Sequence, residues 1–302
     1  MGTSQFFKKI WEKIRNAASS ASSLLGSDTR ALSPAELPLK TTQTNSINPM
    51  TNRIHGYGWI PDRPDPRDIR YSAPQPVLKN LPPKVDLRGQ LPPVYAQGPI
   101  GSCTAQSVCA AFHFCQMKQK LYNFAPSRLF TYYTTRDIEG TVNEDSGAML
   151  RDTIKSINKF GACPESIWPY DIAKLTVKPT VTCYDTASRH TAVSYSQVSQ
   201  TLTQMKGCLA EGYPFAFGMM VYESFESDQV ANTGMVQMPS PDEQQVGGHA
   251  VLVVGYDDSQ QRFIVRNSWG TDWGMKGYFT LPYGYILNPD LATDFWTVRL
   301  VK

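Results

Sequence analysis

The period of the apolar positions changes twice along the chain. Near the start, Phe6, Phe7, Ile10, Trp11 and Ile14 gather on one face of a helical wheel. Lys8, Lys9, Lys13 and Arg15 lie on the other side or at its edge, which predicts a short amphipathic helix over residues 5–18. Residues 19–50 are rich in Ser, Ala, Thr, Asn and Pro and read as a linker. The stretch GYGWIPDRPDPRDIRYSAPQPV then combines dense proline, which excludes helix interiors and central strands, with Tyr57, Trp59, Ile60, Ile69 and Tyr71. It reads as an extended segment packed on the rest of the chain. After Leu81 helical spacing takes over, with Val108, Phe112 and Cys115 behind Cys103. Further helices are expected near 127–135 and 148–160, the last stopped by Gly161. From Thr191 onward strands dominate, in PFAFGMMVY, HAVLVVGYD, RFIVRNS and GYFTLP. Helices followed by strands predict an α+β protein of two packed lobes, with a leader over 1–80 and the main domain over 81–302.

Composition narrows the function classes. A hydrophobic content of 41% with 18% charged residues fits a folded globular chain, and a net charge of +3 over 302 residues gives no case for nucleic acid as a partner. No continuous apolar run near the start resembles a secretory signal, and nothing later is long enough to span a membrane. A cytoplasmic location, or export without a standard signal peptide, is expected. Residues 5–18 either dock on the body or fray, or they contact a membrane surface or a partner. The six cysteines show no CxxC pair and no zinc-like spacing, so mostly free thiols, and no metal, are expected.

One of those thiols sits in a chemically suggestive place. In QGPIGSCTAQ, Cys103 opens a predicted helix, whose N-terminal dipole favours a thiolate. Gly98 and Gly101 permit a tight turn that leaves the sulfur open. The helix start offers backbone N–H groups to a developing oxyanion, and Gln97 adds a side-chain amide donor. A thiol nucleophile also needs a base held by an orienting group. Of the four histidines, His55 lies in the proline-rich leader, His113 is about 15 Å along the helix of Cys103, and His190 has no informative neighbours. His249 begins an apolar strand that turns at DDSQQ and returns as RFIVRNSWG. A hairpin centred near Asp258 and Ser259 sets His249 roughly opposite Asn267, both pointing to one face. Trp269 is then placed to cover the imidazole–amide hydrogen bond from water.

QGPIGSCTAQS, GGHAVLVVGYD and VRNSWGTDWGMKGYF resemble, in this order, three signatures of the papain-like cysteine peptidases, the cathepsin family. LPPKVDLRG at 81–89 is similar to the start of the mature enzyme in that family. The resemblance spans about residues 81–302. It implies a helical lobe, an antiparallel β-barrel-like lobe and a cleft between them. It implies Cys103 as nucleophile, His249 as general base and acid, Asn267 as its orienting partner, and an oxyanion hole from Gln97 and the Cys103 N–H. Gly101, Gly147, Met149, Gly248, Trp269 and Asp294 fall where peptide substrates are held, with Asp294 at a pocket rim beside Thr293. No cofactor is implied, the partner is a peptide or protein substrate, and a monomer is expected. The chain departs from the family pattern at Ile100, where a cysteine is usual, and at Thr104, where Trp is usual. Its leader lacks the family's helical propeptide signature. The segment from about Gly56 to Pro76 is nevertheless expected to lie on the body and partly obstruct the cleft, so that deleting 1–80 raises turnover of small peptides. Two other readings use the same residues: a silenced papain fold acting through its N-terminal helix, and acyl transfer or deamidation of a protein.

Overall fold

The structure, a computed structural model, describes residues 56–302. The predicted helix over 5–18, the linker and His55 lie outside the described residues. The leader part of the described chain contributes β1 (Trp59–Ile60), β2 (Arg70–Tyr71) and α1 (Gln75–Lys79), followed by β3 (Lys84–Asp86). A helical region follows with α2 (Cys103–Lys118), α3 (Arg128–Glu139), β4 (Ala148–Met149), α4 (Leu150–Phe160) and α5 (Val181–Ala187). The remainder is β5 (Ala192–Val198), α6 (Leu202–Ala210), β6 (Phe215–Tyr222), α7 (Asp228–Thr233), β7 (Gln245–Asp257), β8 (Arg262–Arg266), β9 (Tyr278–Pro282), α8 (Tyr283–Leu287) and β10 (Ala292–Val301).

The helices begin and end for local reasons. The Ser127 side chain accepts from the Phe130 N–H and caps α3, which stops at Gly140 in the left-handed region (φ 75°). The helix expected from 148 starts two residues later, because Ala148 and Met149 are drawn into β4 by pairing with β1. Gly161 ends α4, with a φ of 85° that a side chain would strain. Helix α2 is buried from Cys103 through Gln116, on every face, which marks it as the central helix between layers.

The main sheet runs β2-β5-β10-β6-β7-β8-β9, with β3 also paired to β7. Its pairs are antiparallel except β2 with β5. Helix α2 packs against β7 and β10, so the helical layer and the sheet meet along the helix that starts at Cys103. This is the α+β two-lobe arrangement of the sequence reading. Strand β10 escaped that reading because most of its residues are buried, leaving no clean alternation. Leader residues belong to the same core: Trp59, Tyr71 and Ala73 are buried among side chains of the sheet and α2.

Candidate active site

The turn before α2 is held by polar contacts rather than by a disulfide. The Asp145 carboxylate accepts from the Gly101 N–H (2.9 Å) and from the Tyr132 hydroxyl (2.6 Å), which in turn accepts from the Gly147 N–H (2.9 Å). The Tyr170 hydroxyl donates to the Gln97 carbonyl (2.8 Å) and lies 2.6 Å from Ser102 Oγ. Gly98 takes the left-handed conformation (φ 64°). Together these place Gln97 beside the start of the helix. All six cysteines are buried free thiols, and no cluster of three potential metal ligands occurs among the described residues.

The structure brings His249 and Asn267 together. His249 Nε2 is 2.9 Å from Asn267 Oδ1, and both residues are buried. An amide oxygen only accepts, so Nε2 carries the proton of this bond. The pairing differs in register from the expected one. Leu252 faces Arg266 and Val253 faces Val265, and a bulge follows before Gly255 meets Ile264. Continued past Arg266, this register sets Trp269 opposite His249, and Asn267 becomes the diagonal neighbour. The Trp269 ring accordingly stacks on the imidazole, with centroids 5.2 Å apart and planes at 27°. The even register sum keeps both side chains on one face, so the contact survives the shift.

Ser268 joins this pair to Gln97. Its N–H donates to Asn267 Oδ1 (2.8 Å) and its hydroxyl to Gln97 Oε1 (2.6 Å). Its carbonyl accepts from the Gln97 N–H (2.8 Å). The amide oxygen of Gln97 is thereby occupied, and Nε2 is the donor end, one of its bonds going to the Ile100 carbonyl (3.0 Å). His249 is followed by Ala250, whose N–H reaches the Cys103 sulfur, as do the N–H groups of Gly58, Thr104 and Cys103 itself. Burial outweighs these donors and pushes the Cys103 thiol up to about 11. The helix start and its N–H groups pull the other way, towards the thiolate.

What covers the sulfur is the chain's own leader. Gln97 Nε2 donates to the Gly56 carbonyl (2.7 Å). The Gly58 carbonyl accepts from the Ala148 N–H (2.7 Å), and β1 continues parallel to β4, with Trp59 beside Ala148 and Ile60 beside Met149. The Gly-Tyr-Gly-Trp alternation explains the fit. Gly56 and Gly58 lie so close to the Ile100 and Gly101 backbone that a Cβ on either would collide with it. Tyr57 and Trp59 point the other way. Tyr57 sits edge-on to His249 at 5.9 Å, beside Gly247, and donates to Glu226 (2.5 Å). Trp59 lies on Gly218 and Gly248, and its Nε1 donates to Asp294 Oδ2 (3.1 Å).

All six positions expected to hold a peptide lie against residues 56–60. Gly101 and Gly147 face Gly58, Met149 faces Ile60, Gly248 and Asp294 face Trp59, and Trp269 approaches Tyr57 at 6.2 Å. Asp294 is buried rather than at a rim, with φ 60°, and also accepts from the Asp62 N–H (2.8 Å). The sequence reading laid the Gly56–Pro76 segment over the cleft but gave no individual contact to Gly58, Trp59 or Asp62, and no role to Arg151. The period-two spacing of glycine and rings was the available signal for the first two.

A family model described as papain family cysteine protease matches residues 81–293. The chain belongs to the papain family of cysteine proteases. It is a hydrolase with peptide or protein substrates. It is similar to xylellain, a cysteine protease from Xylella fastidiosa, at 45% identity with a TM-score of 0.77, covering 83% of this chain and 98% of that one. An uncharacterized peptidase C1-like protein of Acanthamoeba polyphaga mimivirus is 41% identical over 81% of this chain and 87% of its own length. A cathepsin B-like protein of Giardia intestinalis is 29% identical over 68% and 70%. Procathepsin L 3 of Tenebrio molitor shares the fold at 21% identity with a TM-score of 0.62. With relatives in a virus, a bacterium and a protist, kinship does not assign this chain a bacterial source.

Proposed function

We propose that the chain is a cysteine endopeptidase working through Cys103, His249 and Asn267, and that residues 56–62 of its own leader hold it closed. In the open enzyme, proton transfer from Cys103 to His249 Nδ1 gives a thiolate that adds to the peptide carbonyl. Gln97 Nε2–H and the Cys103 N–H receive the oxyanion, His249 protonates the leaving amine, and water activated by His249 hydrolyses the thioester. Asn267 holds the imidazole in the tautomer that this cycle needs. The observation that carries the closed state is the Gly56 carbonyl on Gln97 Nε2: a leader carbonyl takes the donor that a reacting carbonyl requires. The leader enters the cleft with glycine where a side chain would collide, and fills the space over Gly218 and Gly248 with an indole.

The test is active-site labelling. A peptide epoxide should modify Cys103 alone among the six cysteines, and Cys103→Ala should abolish peptidase activity. Labelling spread evenly over the thiols, or activity surviving Cys103→Ala, counts against the reading.

A further inference from the structure

The leader's grip extends well beyond the thiol, to the N-terminus of α4. Arg151 there is almost completely enclosed, with 7% of its side chain exposed, and pairs with Asp68, of which 8% is exposed. Its Nε donates to Asp68 Oδ1 (3.0 Å) and one terminal nitrogen to Asp68 Oδ2 (2.6 Å). The other terminal nitrogen donates to the Arg63 carbonyl. The Arg151 backbone N–H donates to Asp62 Oδ1 (3.1 Å), and Asp62 Oδ2 accepts from Trp296 Nε1 (2.8 Å). One turn along α4, Lys155 lies 3.8 Å from Asp65, which also pairs with Arg67. The indole N–H and a helix N–H at Asp62, the Lys155 ammonium at Asp65 and the Arg151 guanidinium at Asp68 therefore meet acidic side chains spaced three apart in the leader.

We infer that the Arg151 guanidinium forms a carboxylate-binding site for Asp68 of the leader, flanked by the contacts of Asp62 and Asp65, and that occupancy of this site keeps the cleft closed. The inference rests on the closed-cleft reading above and adds what holds the cover down. The link between the two places is short. Asp294 accepts from both the Asp62 N–H and Trp59 Nε1, so the segment read by Arg151 is fixed to the indole that fills the cleft. Residues 56–60 are held by a two-residue parallel pairing, by hydrogen bonds at Gly56, Tyr57, Gly58 and Trp59, and by burial of the Trp59 ring, and the contacts of Asp62–Asp68 carry that hold on to α4. A buried guanidinium left without its carboxylate is strongly unfavourable in the docked state, whereas water re-solvates it once the leader departs. Loss of Asp68 should therefore shift the balance towards opening.

The experiment uses the full chain. Labelling of Cys103 by a peptide epoxide is followed with hydrogen exchange of the Ala148 amide, which is protected by the Gly58 carbonyl only while the leader is docked. Asp68→Asn and Arg151→Gln should each raise both rates about 10- to 100-fold, and the double variant should exceed neither single by much, because one lock is lost in all three. Trp59→Ala serves as the comparison. Wild-type rates in the folded Asp68 and Arg151 variants, with faster labelling in Trp59→Ala, overturn the Arg151 lock and leave the closed cleft standing. Wild-type rates in all three overturn both. Should the variants fail to fold, the unaltered chain still decides: amides of 56–60 and 62–68 opening with one common protection factor support the lock, and independent opening contradicts it.

Discussion

At Cys103, position and protonation pull in opposite directions. The helix N-terminus and four N–H groups favour the thiolate, yet exclusion of water raises the thiol to about 11. The order of magnitude decides the resting state. At neutral pH a thiol with that affinity for its proton is mostly protonated, so the proposed closed state would mask Cys103 chemically as well as sterically. The sign of the pH dependence follows. Alkylation of Cys103 by a small reagent such as iodoacetamide should climb about tenfold per pH unit through pH 8–10 in the intact chain. Loosening the cover with Trp59→Ala re-hydrates the sulfur and should move that climb to lower pH. Superimposable profiles for the two proteins would mean that the leader does not set the state of the thiol.

At the scale of elements, the leader strand carries its own sensitivity to pH. Asp62 is half-buried beside a second carboxyl, Asp294, and desolvation with that repulsion raises it to about 7, against the opposing Arg151 N–H, the Trp296 indole and the Arg151 charge. Asp294 is raised as well, chiefly by burial. In water after release both return towards about 4. The docked leader therefore binds more protons than the released one between about pH 4 and pH 7. Docking is tightest at the acidic end and weakens as pH rises through that window. Exchange of the Ala148 amide, corrected for its intrinsic rate, should report more frequent opening at pH 7.5 than at pH 5. Asp62→Asn should flatten the slope, and an unchanged slope in that variant would exclude Asp62 as its source.

The same elements show what the chain makes legible. Helices α3 and α4 could be placed from apolar spacing and from Gly161, and strands β6 to β9 from their β-branched and aromatic runs. The bulge between Val253 and Gly255 could not, because an extra residue leaves no local mark in a strand buried on both faces. Cys103, His249, Asn267 and Gln97 could be singled out because a thiol nucleophile calls for those residue types near a helix start and a hairpin, and the fold brings His249 to Asn267 and Gln97 to Ser268. Arg151 was not, since its partners at 62 and 68 lie more than eighty residues away and only the folded chain joins them.

At the scale of the molecule, helix α2 brings the thiol, the sheet brings imidazole and amide, and the leader crosses between them before joining the sheet as β2. That last step changes how the closed state must be tested. Tyr71 and Ala73 lie in the main core and β2 pairs with β5, so a cut at residue 80 removes part of the body along with the cover. Substitution at Trp59 releases the cleft filler and leaves β2 in place. The deciding measurement is kcat/KM on a fluorogenic dipeptide for the intact chain, Trp59→Ala, and Trp59→Ala combined with Cys103→Ala. A peptidase closed by its own leader predicts a rise of at least about tenfold in the first variant, the loss of about 1.4 kcal/mol of docking energy, and no activity in the second. A folded Trp59→Ala protein with wild-type turnover, or turnover that survives without Cys103, would contradict it.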